Sequence, residues 1–152
     1  MKNKPILLVE DSEDDVRLTK RALQKNNITN ELIVVGDGRE ALKFLRTAAT
    51  EPANNPKCGL PAVVLLDLKL PKLDGLEVLR QIRADPLLRR QPVVILTTSK
   101  EDQDIIRSYD LGANSFIRKP VDFEQFSAAI SQLGLYWLVL NELPPVNQGG
   151  ES

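Results

Sequence analysis

The chain contains no histidine. Ser-His-Asp and Cys-His nucleophile systems are therefore excluded, and His-ligated zinc with them. Any histidine chemistry has to come from a partner. A single cysteine, Cys58, rules out an internal disulfide and suits the reducing cytoplasm. Taken alone it is an inert loop thiol. No apolar stretch approaches the roughly 20 residues that a membrane-spanning helix needs. The opening Met1-Lys2-Asn3-Lys4-Pro5 leads directly into an apolar segment and leaves no room for a secretory leader. An excess of one charge is missing too. Lys and Arg number 20 against 21 Asp and Glu, so no bulk field draws the chain to nucleic acid or to an anionic membrane.

What is present is the composition of a water-soluble globular domain. Of 152 residues, 42% are hydrophobic and 27% charged, enough for one core of ordinary size. Short β-rich runs alternate with helical stripes. The runs cover residues 6–9, 32–35, 63–66, 93–96 and 114–117. Between them, Val16, Leu18, Thr19, Ala22 and Leu23 form one stripe, Ala41, Leu42, Phe44 and Leu45 a second, and Leu76, Val78, Leu79 and Ile82 a third. Ile105, Ile106 and Tyr109 mark a fourth, capped by Thr98 or Ser99. Phe123, Phe126, Ala129, Ile130 and Leu133 mark the fifth. Asp11-Ser12 can cap the first helix, and Gly36-Asp37-Gly38 is a turn. Three prolines and two adjacent asparagines make residues 48–61 a long surface loop. Five strand–helix units predict a three-layer α/β fold with a mostly parallel sheet.

Two of the runs stop at carboxylates. Ile6-Leu7-Leu8-Val9 ends in Glu10-Asp11, and Ala62-Val63-Val64-Leu65-Leu66 ends in Asp67. Ligands of an open parallel sheet bind at the carboxyl ends of its strands. Three acids gathered there repel one another unless a cation joins them. The pattern predicts a divalent metal with a carboxylate held beside it. Thr97 closes the fourth strand and Lys119 closes the fifth, adding a hydroxyl and an ammonium to the same edge. A carboxylate that becomes an acyl phosphate needs this set. A metal offsets charge on the oxygens, a lysine supplies a mobile cation and a hydroxyl donates a hydrogen bond. Each residue has a plainer role when taken singly. Asp11, Asp67 and Thr97 could be helix caps, Asp67 otherwise part of a solvated turn, and Lys119 a solvated charge. Pro71 and Asp74-Gly75 follow Asp67 in a tight loop; proline fixes φ and glycine frees it, so this backbone can be held close to a ligand. Lys119-Pro120 is an X-Pro bond that could be cis.

Leu8-Val9-Glu10-Asp11, Leu65-Leu66-Asp67-Leu68-Lys69-Leu70-Pro71 with Asp74-Gly75, Leu96-Thr97-Thr98, and Lys119-Pro120 together resemble the receiver domain of bacterial two-component response regulators. The likeness spans about residues 5–134, with one motif on each of four strand ends in the family's order. It implies a flavodoxin-like (βα)5 fold with a parallel five-stranded sheet of order 2-1-3-4-5. It implies that Asp67 accepts a phosphoryl group from a sensor histidine kinase. Asp11, Asp67 and the backbone carbonyl of Lys69 would ligate Mg2+, with Glu10 acting through water. Thr97 would bind the phosphoryl group and Lys119 would pair with it. Phe116 occupies the family's aromatic switch position, turning inward as Thr97 moves toward the phosphate; its alternative is a fixed core aromatic. Lys69 and Ser99 flank the path of hydrolytic water in the family and would tune the phosphate lifetime. Such a domain catalyses only its own Mg2+-dependent phosphorylation and dephosphorylation.

The expected organisation is a receiver over residues 1–134, an extension over 135–146 and a disordered tail over 147–152. Too few residues follow the last helix for a helix-turn-helix module, so output is expected through protein contacts. The extension carries the only tryptophan. Tyr136, Trp137, Leu138 and Leu140 either pack back on the domain or form a partner surface, aromatic residues being enriched at interfaces. With the long loop, this extension is similar to response regulators paired with bacterial and cyanobacterial phytochrome kinases. That similarity implies a phytochrome kinase as partner, and a homodimer through the extension and the face of the fourth and fifth expected helices. Two alternatives belong to other classes. A haloacid-dehalogenase-type aspartyl-phosphate hydrolase needs a second acid two residues after its nucleophile, where this chain has Lys69. A flavodoxin-like electron carrier needs a Gly- and Thr-rich loop after the first strand, where residues 10–15 are acidic.

Overall fold

A computed structural model of the chain describes residues 4–50, 59–68, 70, 73–97, 110–113, 115–118 and 123–134. In chain order the described elements are β1 (Ile6–Val9), α1 (Glu13–Lys25), β2 (Leu32–Val35), α2 (Gly38–Thr50), β3 (Val63–Asp67), α3 (Gly75–Ala84), β4 (Val93–Thr97), β5 (Ser115–Arg118) and α4 (Phe123–Gly134). The five strands pair in parallel in the order β2-β1-β3-β4-β5, the flavodoxin-like order expected.

Central parallel strands are covered on both faces, which is why they are written as unbroken apolar runs. Successive side chains divide between the two layers. Leu7, Val9, Val64, Leu66, Val93 and Ile95 join Ala41, Leu42 and Leu45 of α2 and Val78, Leu79 and Ile82 of α3. Ile6, Leu8, Val63, Leu65, Val94 and Leu96 join Ala22 and Leu23 of α1 on the other face. Each fully buried aliphatic side chain contributes about 1.5–3 kcal/mol. α4 packs beside α1, where Asn26 Nδ2 donates to the carbonyl of Ser127 at 3.1 Å and to its Oγ at 3.0 Å. Lys25 Nζ meets Glu124 Oε1 at 2.6 Å nearby.

Several boundaries differ from the sequence expectation. α2 continues to Thr50, so residues 48–50, expected in a loop, are helical. Ala48 extends the buried stripe, and Thr50 Oγ1 bonds back to the Arg46 carbonyl at 3.0 Å. β3 and β4 each gain a residue, because ladder pairing uses backbone groups and ignores side-chain polarity. Asp67 pairs with Leu96, and Thr97 pairs with Arg118. β5 runs one residue later than expected. Asp37 is the N-cap position of α2 rather than mid-turn: its Oδ1 accepts from Glu40 N at 2.8 Å. The helix expected over residues 99–109, the Lys119-Pro120 bond and the extension and tail beyond residue 134 lie outside the described residues.

Candidate metal and phosphoacceptor site

The strand register sets the geography of the site. Val9, Leu66, Ile95 and Phe116 lie level across four neighbouring strands. One step beyond them β3 ends on Asp67, and β1 gives way to Glu10. Two steps beyond, β4 ends on Thr97 opposite Arg118 of β5. Glu10, Asp11, Asp67 and Thr97 therefore fall on one edge, at the carboxyl ends of β1, β3 and β4.

Glu10, Asp11 and Asp67 converge there. A carboxylate oxygen from each lies within 4.8 Å of the other two. Glu10 and Asp67 are 3% and 6% exposed, whereas Asp11 is open to solvent. Glu10 is oriented locally, since its Oε2 accepts from Ser12 N at 3.1 Å. Ser12 in turn caps α1, its Oγ accepting from Asp15 N at 3.3 Å. α3 has its own cap in Asp74, whose Oδ1 accepts from Glu77 N at 3.0 Å. Neither Asp11 nor Asp67 is the cap of the adjoining helix, which removes that plainer role for both. Glu13, Asp14 and Asp15 occupy the first turn of α1 and add negative potential around the cluster. Three convergent carboxylates in such a field suit a hard divalent cation, which prefers oxygen donors.

The loop after Asp67 is pinned by two glycines. Gly75 N donates to the Leu68 carbonyl at 3.0 Å. A Cβ at Gly75 would collide with the Asp67 carbonyl oxygen and come within 2.7 Å of Leu68 Cα. A Cβ at Gly38 would collide with the Leu73 carbonyl oxygen and lie 2.6 Å from Val78 Cγ2. The expectation that Gly75 serves by freeing φ is corrected: it opens α3 and serves by allowing close approach. Asp37-Gly38-Arg39-Glu40 and Asp74-Gly75-Leu76-Glu77 share one pattern, a capping Asp, a small first residue and an acid at the third helical position. That repeat was the available signal for both caps. In α3 the acid is further held by Arg80, whose Nε donates to Glu77 Oε1 at 2.9 Å. This bond keeps the Glu77 carboxyl ionised down to a pKa of about 2.

Thr97 and Phe116 are placed by their backbones at the ends described above. Lys69, Lys119, Tyr136, Trp137, Leu138 and Leu140 lie outside the described residues.

A family model of the response regulator receiver domain matches residues 6–131. The chain belongs to the response regulator receiver family. Response regulator Rcp1 of Synechocystis sp. is 42% identical over 141 residues, which span 93% of this chain and 93% of Rcp1. A structure of Rcp1 in its Mn2+-bound form superposes with a TM-score of 0.78 at 40% identity, covering 93% of this chain and 99% of that one. The bacteriophytochrome response regulator RtBRR is 53% identical, with 95% of this chain and 86% of that chain covered and a TM-score of 0.73. The phosphorylated cyanobacterial phytochrome response regulator RcpA is 40% identical, with 93% and 99% covered and a TM-score of 0.80. This receiver therefore resembles phytochrome response regulators over nearly its whole length. The haloacid-dehalogenase and electron-carrier alternatives find no support in these matches.

Proposed function

We propose that this receiver is a phosphorylation switch in which Asp67 accepts a phosphoryl group from the histidine of a phytochrome sensor kinase. The observation that carries this reading is the convergence of Glu10, Asp11 and Asp67 from β1 and β3 on one edge of the sheet. An Asp67 oxygen attacks phosphorus; the new O–P bond forms as the donor's N–P bond breaks, and the electron pair stays on the donor imidazole. Asp11, Asp67 and the Lys69 backbone carbonyl are assigned as direct Mg2+ ligands, with Glu10 contributing through water. Mg2+ held there would offset negative charge on the transferring oxygens. Thr97 donates a hydrogen bond to the phosphoryl group and Lys119 pairs with it. Glu10 steadies the start of α1 through Ser12. Movement of Thr97 toward the phosphoryl group, followed by Phe116 turning inward, would carry the change to the surface. The phosphorylated form of RcpA and the Mn2+-bound form of Rcp1 support the chemistry by similarity. RcpA and RtBRR support the phytochrome partner in the same way.

The proposed organisation is a receiver over residues 1–134, an extension over 135–146 and a disordered tail over 147–152. Output runs through protein contacts in the cytoplasm, without binding nucleic acid or membrane. A homodimer is formed with help from Tyr136, Trp137, Leu138 and Leu140. Sedimentation tests the dimer: deleting residues 135–152 should shift the species toward monomer, and an unchanged profile rejects the assignment.

The central test uses phosphoramidate with Mg2+. Mass spectrometry should find one added phosphoryl group on the wild-type chain and none on Asp67→Asn. Uptake of the group by Asp67→Asn would overturn the assignment of Asp67.

A further inference from the structure

The two halves of the proposed site are anchored by different means. Glu10 and Asp11 directly follow β1 and Asp67 ends β3, and each of these strands is flanked by strands on both sides. Among the described residues β5, which precedes Lys119 in the sequence, is an edge strand laddered to β4 alone. The approach to β5 is held from elsewhere, by Arg83 in the last turn of α3. Its Nε and Nη2 both donate to the Gly112 carbonyl, at 2.9 and 2.6 Å. Its Nη1 donates to the carbonyls of Arg89 at 2.9 Å and Gln91 at 2.6 Å. Gln91 lies just before β4, and Gly112 just before β5. One guanidinium thus ties the entries of both strands to α3.

The joint is built closely. Gly112 has φ +99°, a conformation that disfavours any side chain, and a Cβ there would lie 2.8 Å from Arg83 Nε. Partial burial lowers the pKa of the Arg83 guanidinium below its ordinary value, yet the group stays charged and a planar fork suits these converging carbonyls.

We infer that Arg83 is a positioning residue for phosphoryl transfer: by fixing where β4 and β5 enter the sheet, it sets where the two strands end at the opposite edge, β4 on Thr97 and β5 on Arg118. The inference rests on the phosphoacceptor role of Asp67 proposed above. A short strand transmits a displacement of its first residue to its last, and among the described residues β5 has a single neighbouring strand to resist it. None of these four bonds reaches β1 or β3, which lead to the carboxylate cluster.

The test compares full-length wild type, Arg83→Gln, Arg83→Lys and Gly112→Ala. Calorimetry gives Mg2+ affinity, and mass spectrometry gives the rate of labelling by phosphoramidate at saturating Mg2+. In the Arg83→Gln and Gly112→Ala proteins, Mg2+ affinity should stay within about twofold of wild type. Labelling should slow about 10- to 100-fold, the cost of a misplaced catalytic group. Arg83→Lys, which keeps the charge but loses the fork, should also slow labelling. A merely structural role would weaken metal binding and labelling together, and that result overturns the inference. So does labelling at the wild-type rate in folded Arg83→Gln. If Arg83→Gln does not fold, the same two criteria apply to Arg83→Lys and Gly112→Ala. If the wild type itself takes no label, the phosphoacceptor role of Asp67 fails instead.

Discussion

Asp11 and Asp67 carry the same side chain in opposite surroundings. Asp67 is buried at the end of a central strand, and Asp11 stands open beside it. Replacing Asp11 with Asn removes one negative charge from a crowded trio and exposes nothing apolar. Unfolding free energy measured in urea should therefore change by no more than about 0.5 kcal/mol or rise slightly, while calorimetric Mg2+ affinity falls about 10- to 100-fold. Gly75 offers a second single-residue contrast. Gly75→Ala forces a methyl against the backbone of Asp67 and Leu68 and should cost about 1–3 kcal/mol in the same unfolding experiment. Gly36→Ala is the control, because nothing lies within 4 Å of a Cβ there. At this scale Glu10, Asp11 and Asp67 were legible because each follows an apolar run. The Glu10-to-Ser12 bond was not, since only the folded turn brings that carboxylate onto its neighbour's N–H.

Among the elements, α3 concentrates the local chemistry. Its first turn is capped by Asp74 and carries Glu77, paired through hydrogen bonds with Arg80 and Gln81. Asp74→Ala should destabilise the fold by about 1 kcal/mol in urea, the usual value of a lost N-cap. Glu77 has a pKa of about 2 when folded against an ordinary 4.5. A depressed carboxyl pKa contributes stability above the unfolded value and loses it as pH falls toward the folded one. The thermal stability of the wild type should therefore exceed that of Glu77→Gln at pH 6, and the two should converge as pH is lowered from about 4.5 toward 2. The pair is exposed, so the difference is small and shrinks with added salt. Elements of this kind were visible as periodic stripes, but their ends were not. α2 outran the expected loop because Ala48 found a buried place, and β3 and β4 absorbed Asp67 and Thr97 through backbone pairing.

The whole molecule decides whether a cation stabilises it. A ligand that binds only the folded chain adds RT ln(1 + [L]/Kd), about 1.4 kcal/mol at ten times Kd. Mg2+ at that level should raise the melting temperature of the wild type, with no such rise for Asp11→Asn at the same concentration; differential scanning calorimetry reads both. An equal shift in the two proteins would place the bound ion elsewhere. The acids also explain the direction of the effect. Without a cation, three carboxylates within 4.8 Å repel one another, and the fold holds them together regardless because β1 and β3 are locked by a buried core.

The sequence by itself determined the chemistry available and the fold class. Absence of histidine confined any histidine step to a partner, and five apolar runs alternating with amphipathic stripes encoded a parallel α/β sheet. Those are properties of composition and period, which a linear string carries. Tertiary structure decided which strands are neighbours, and hence that the acids after β1 meet the acid ending β3. It decided that Ser12 and Asp74, rather than Asp11 and Asp67, cap the adjoining helices, and that Gly75 serves by its size rather than its freedom. It also brought Arg83 onto the Gly112 and Gln91 carbonyls. Contacts between segments distant in the chain depend on packing and register, and no local pattern of residues records them.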